Sequence, residues 1–108
     1  MNQYTVEIFV KLQLMAPENI NGLYAEMLEH PGGWVLKAIH KYFQASSLEC
    51  DKRIEIMLLY LANGVIGHAV KYIADILKWA TDTGCKSVTW EDFARKIYPE
   101  QIPDYTKS

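Results

Sequence analysis

The sequence predicts a mainly α protein: a small bundle of about five helices preceded by one long N-terminal β-strand. Three observations predict it. Apolar residues alternate with period two over Tyr4, Val6, Ile8, Val10, Leu12 and Leu14. From Pro17 onward they recur at spacings of three and four. Helix start and stop residues punctuate that second pattern at intervals too short for a linker.

The first segment alternates Tyr4, Val6, Ile8, Val10, Leu12 and Leu14 with Thr5, Glu7, Phe9, Lys11 and Gln13. Period two assigns the first set to a buried face and the second to water. A strand of this length needs a hydrogen-bonding mate. The expected mates are a second copy of the chain, paired through Val6, Ile8, Val10 and Leu12, the sheet edge of another protein, or a short strand elsewhere in the chain.

Pro17 suits the first turn of a helix, and Ile20, Leu23, Tyr24, Met27 and Leu28 follow at helical spacing. His30-Pro31-Gly32-Gly33 stops that helix. The next begins near Trp34, with Val35, Ile39, Tyr42 and Phe43 inward and Lys37 and Lys41 outward. Ser46-Ser47-Leu48-Glu49 reads as a capping box opening a helix from about Leu48 to Ala62. That helix is apolar almost all round, which predicts a central position. Asn63-Gly64 ends it with residues that tolerate positive φ.

A further helix runs from near Val65 to about Asp82, with Ile66, Ala69, Val70, Ile73, Leu77 and Ala80 as its inward stripe. Gly84 terminates it, and Lys86-Ser87-Val88 is extended. Thr89 with Asp92 starts the last helix, which carries Phe93, Ala94, Ile97 and Tyr98 and is closed by Pro99. The expected organisation is one domain over residues 1–108: the strand over 1–15, the bundle over 17–98 and a loose tail over 99–108.

Composition narrows the function classes. The 108 residues are 50% hydrophobic and 22% charged, with a formal net charge of −2. That suits a globular chain and argues against a general nucleic-acid coat, though a local basic patch is compatible with it. No apolar run approaches the roughly 18 residues of a membrane span. The N-terminus MNQYTVEIF lacks the pattern of a secretory signal. Cys50 and Cys85 stand 35 positions apart without a partner motif. Two thiols in so short a chain predict a cytoplasmic protein.

No catalytic signature is legible. GxxxxGK[ST], GxSxG and HExxH are all absent. His30, His40 and His68 share no ligand spacing with one another or with the cysteines. Cys50, beside Asp51 in an expected early helical turn, has no base at a readable distance and reads as a structural or free thiol. Glu91-Asp92 fits a helix N-terminus. Neither a cofactor nor a metal is expected, and the chain reads as a binding protein without enzymatic activity.

Candidate binding residues lie on the helix after Gly64. Tyr72, Ile76 and Trp79 mark a second face of it, flanked by Lys71 and Lys78. Exposed aromatic and basic residues together favour a protein contact; the bland alternative is an apolar arc packed between helices. Lys37, His40 and Lys41 form a modest basic face and Arg95-Lys96 another, suited to solvent or to phosphate contacts.

The stretch LANGVIGHAVKYIADILKWATDTGCKSVTWEDFARKI, residues 61–97, resembles the C-terminal lid region of transposition-associated AAA+ ATPases of the TniB and MuB type. The resemblance rests on Gly64 and Gly67, the apolar helix Ile66 to Ala80, Gly84, the Val88-Thr89 lead and the helix from Phe93 to Ile97. It covers about a third of the chain. The phosphate loop of those ATPases is absent, and Gly67-His68 stands where broader AAA+ lids often place an arginine. The resemblance implies a helical protein-contact module, a stand-alone lid relative or a small mobile-element protein, that does not hydrolyse ATP. Two other readings fit the composition: an inhibitor or immunity-type protein blocking a nuclease or toxin, and a dimeric helical DNA-binding regulator.

Overall fold

A computed structural model describes residues 3–98. Its order is α1 (Gln3–Leu14), α2 (Pro17–Glu29), α3 (Gly33–Ala45), β1 (Glu49–Cys50), α4 (Lys52–Leu61), α5 (Ile66–Thr83), β2 (Ser87–Val88) and α6 (Trp90–Asp92), which runs on as a π-helical turn over Phe93–Ile97. The tail expected over 99–108, with the helix stop at Pro99, lies outside the described residues.

The mainly α expectation holds, and the long N-terminal strand does not. Residues 3–14 are helical, burying Thr5, Phe9 and Leu12. Those positions are four and three apart, the spacing of one helix face. The alternating pattern had assigned Phe9 to water. In fact its ring lies 5.0 Å from that of Trp90 and 4.7 Å from that of Tyr98, joining α1 to the C-terminal helix. Sequence alternation and helical spacing share Ile8 and Leu12, so a run dense in apolar residues satisfies both templates. Backbone satisfaction separates them: a strand without a mate leaves its polar groups open, whereas a helix closes them internally.

The correction extends to the residues proposed for strand-mediated dimerisation. Leu12 is 1% exposed and belongs to the core, while Val10 is 48% exposed. Val6 and Ile8 are half-buried. They do not share one face, and residues 3–14 form a helix that offers no strand edge to a second copy.

The core sits around α4, which packs on α1, α2, α3 and α5. Ile54, Ile56, Met57 and Leu58 are all fully buried, as the helix's apolar circumference predicts. Its start is not the capping box read at Ser46-Glu49. Ser46 closes α3 instead, its Oγ donating to the Tyr42 carbonyl at 3.1 Å. Ser47 then takes φ 54°, turning the chain out of the helix. That frees Glu49–Cys50 to pair in parallel with Ser87–Val88, with Glu49 opposite Ser87 and Cys50 opposite Val88. Asp51 is the true cap of α4, accepting from the Arg53 backbone N–H at 2.8 Å.

Other signals fall where expected. Asn63 (φ 56°) and Gly64 (φ 74°) turn the chain between α4 and α5. Gly84 ends α5 in the left-handed region. Thr89 and Asp92 form the reciprocal capping box of α6. Tyr42, expected inward, is exposed on α3. No helix among the described residues is long and apolar enough to cross a membrane.

Candidate functional site

Two adjacent corners and four helices make a broad concavity. It is a groove of about 640 Å³ walled by Tyr4 of α1, Leu23 and Met27 of α2, Trp34 of α3, and Leu59 and Tyr60 of α4, with His30, Gly32, Asn63 and Gly64 at its ends. The α2–α3 corner sets its shape. At Gly33 a Cβ would come within 2.7 Å of the Met27 carbonyl oxygen, and closer still to that of Leu28. Only glycine allows this approach. The Gly33 N–H donates to the His30 carbonyl at 2.8 Å, fixing the turn. Val35 then points into the core, and Trp34 is left 58% exposed on the groove.

Tyr4, 57% exposed, lines the same groove from α1. Its ring meets that of Tyr60 edge-on, 5.8 Å between centroids and 64° between planes. Burial, and next the neighbouring Tyr4 hydroxyl, hold the Tyr60 phenol above its ordinary pKa. Glu26 lines the groove, and Glu29 lies on the next turn of the same helix. The helix α2 carries Glu18, Glu26 and Glu29 and no lysine or arginine. Glu7 is exposed one turn beyond Tyr4. Among the described residues none of Glu7, Glu26 and Glu29 belongs to an ion pair.

A second, polar cluster lies where α2, α3 and α4 meet. Glu55 is 1% exposed. The Tyr24 hydroxyl donates to its Oε1 at 2.7 Å, and His40 Nδ1 lies 3.2 Å and 3.1 Å from its two oxygens. A cavity of about 570 Å³ opens beside it, lined also by Glu49 and Cys50. Burial pushes the Cys50 thiol well above its ordinary pKa, and the Glu55 and Asp51 carboxylates push it further. A thiol held protonated in this way is a poor nucleophile. Burial and then the Glu55 carboxylate raise the Tyr24 phenol likewise. Among the described residues no three His, Cys, Asp or Glu side chains are arranged to hold a metal ion.

The binding face read on α5 comes apart in the fold. Ile76 is 1% exposed and part of the core. Tyr72 and Trp79 are half-buried and pack against that core. Lys71 is exposed, and Lys78 Nζ pairs with Asp82 Oδ2 at 2.8 Å on the helix surface. That hydrogen bond raises the Lys78 pKa. The second stripe is thus largely a widening of the inward arc, because α5 is covered by both α3 and α4. Neither Tyr4 nor Trp34 was singled out from sequence. Tyr4 was hidden by the strand assignment, and Trp34 counted only as a helix start. The legible signal is an aromatic residue immediately after a Gly-Gly corner, with the core position taken by the next residue, Val35.

Compared with protein-family models, with curated proteins and with solved structures, the chain matches none.

Proposed function

We propose that the protein is a non-catalytic protein-protein interaction or regulatory module whose contact surface is the groove between Tyr4 and Trp34. The observation carrying this reading is the pair of aromatic side chains, each more than half exposed, that line one largely apolar groove of about 640 Å³ from different helices. Aromatic residues in such positions supply the anchors of protein interfaces. A small-molecule site encloses its ligand; walls this open suit a larger partner.

The lid resemblance belongs to the same proposal. Its supporting features are the turn at Gly64, the α5 helix, the Gly84 stop, and β2 leading through Thr89 into α6. A cytoplasmic location is part of it too, supported by two cysteines that form no disulfide. The inhibitor or immunity-type reading stands second, favoured by the unpaired carboxylates of Glu7, Glu26 and Glu29 around the groove.

The test is capture of partners from source-cell extract by the wild-type chain, Trp34→Ala and Trp79→Ala, with mass spectrometry and melting curves in parallel. A partner retained by wild type and lost with Trp34→Ala, at unchanged melting temperature, is the expected result. Equal capture by wild type and Trp34→Ala removes the groove as the contact surface.

A further inference from the structure

We infer that the groove takes a cationic amphipathic helix, a partner segment with apolar anchors on one side and lysine or arginine along its edges. The inference rests on the groove reading above and specifies its occupant.

The groove is mainly apolar. Leu23, Met27 and Leu59 offer apolar area between two aromatic posts, Tyr4 and Trp34. The flexible thioether of Met27 can adapt to an incoming side chain. The walls are themselves helices, and an amphipathic helix laid between helices buries anchors at i, i+3/i+4 and i+7.

Charge then selects the sign of the partner. Glu26 is part of the groove wall, Glu29 stands one turn along α2, and Glu7 stands one turn along α1 from Tyr4. Opposing charges on these wall helices include Lys37, one turn beyond Trp34 on α3, and Lys11, one turn beyond Glu7 on α1. Elsewhere on the surface Asp82 is matched by Lys78, Glu91 by Arg95 and Asp92 by Lys96, while exposed Glu18 and Glu49 belong to no ion pair among the described residues. Three of the unmatched carboxylates, Glu26, Glu29 and Glu7, lie on or within a turn of the apolar opening. Rim charges of one sign steer a partner of the other sign and penalise an anionic one.

Two synthetic peptides of about 18 residues, five helical turns, supply the probes. One is built of leucine and lysine at helical spacing, the other of leucine and glutamate in the same order. Each is titrated into ¹⁵N-labelled protein, with the Trp34 indole N–H and the Tyr4 amide as reporters, at low and high salt. The expected result is that the lysine peptide shifts these signals and binds about tenfold or more tighter than the glutamate peptide, a preference that fades with salt. Glu26→Lys with Glu29→Lys should reverse the order of the two peptides.

If both peptides bind the groove equally, the cationic partner is wrong and the groove reading survives. If neither moves the Trp34 and Tyr4 signals, or the lysine peptide shifts acidic residues all over the surface instead, the groove reading falls as well. Shifts of the same signals on raising the protein concentration alone would assign the groove to a second copy of this chain and overturn the proposal.

Discussion

The Tyr24 hydroxyl reaches the Glu55 carboxylate from one helix to the next, 2.7 Å apart and 31 positions distant in sequence. With His40 on a third helix, this one carboxylate ties α2, α3 and α4 at the centre of the fold. A carboxylate so buried is tolerable only while both partners stay in place.

The cluster should therefore be strongly coupled. Glu55→Ala leaves a cavity and an orphaned Tyr24 hydroxyl, an expected loss of about 3 kcal/mol. Tyr24→Phe removes one donor from a buried charge and should cost about 1–3 kcal/mol. Urea unfolding of both single variants and the double variant measures this. Losses that simply add would show that the Tyr24–Glu55 contact does not couple the helices.

Stability should fall at alkaline pH. The folded-state pKa values of Cys50 and Tyr24 are both raised from ordinary values of 9.0 and 10.0. Well below pH 9 both groups are protonated, folded or unfolded, and contribute no slope. Above it the unfolded chain releases protons that the folded chain retains, so unfolding becomes easier as pH rises. Denaturation midpoints between pH 8 and about 10.5 should decline, and Cys50→Ala should make the decline shallower. An unchanged slope in that variant would place the titration elsewhere.

Glycines should divide sharply by position. Gly33→Ala forces a methyl group against the Leu28 and Met27 carbonyls, and should cost about 2 kcal/mol or more through displacement of the α2–α3 corner. Gly22, in the interior of α2 with open space around its Cβ position, should behave oppositely. Gly22→Ala is expected to add about 0.5–1 kcal/mol, read as a higher melting temperature.

The N-terminal helix can be probed by two neighbours. Phe9→Ala should remove about 3–5 kcal/mol because the ring fills the space between Trp90 and Tyr98. Val10→Lys, on the exposed side, should change stability by no more than about 0.5 kcal/mol. Chemical denaturation checks both. A strand burying Val10 and exposing Phe9 would give the reverse order.

Local chemistry was legible wherever a residue type answers to its own backbone. Asn63 and Gly64, Gly84, and the Thr89–Asp92 box mark ends and starts that the fold keeps. The circumference of α4 announced its central place because four adjoining residues, Ile54 to Leu58 apart from Glu55, have no polar face to give to water. Glu55 is the exception that sequence could not explain, since its partners Tyr24 and His40 come from other helices.

By itself, then, the sequence determined a mainly helical chain, its breaks and its innermost helix, since these depend on propensity, capping and periodicity within a few residues. Tertiary structure decided three further matters. It made residues 3–14 a helix, because the aromatic contacts of Phe9 reward one face and a helix closes its own backbone hydrogen bonds. It turned Ile76 inward, because α5 is covered from two sides. It made the groove, because Gly33 brings α2 and α3 close together and leaves Trp34 exposed beside Tyr4 on a surface that no single helix presents.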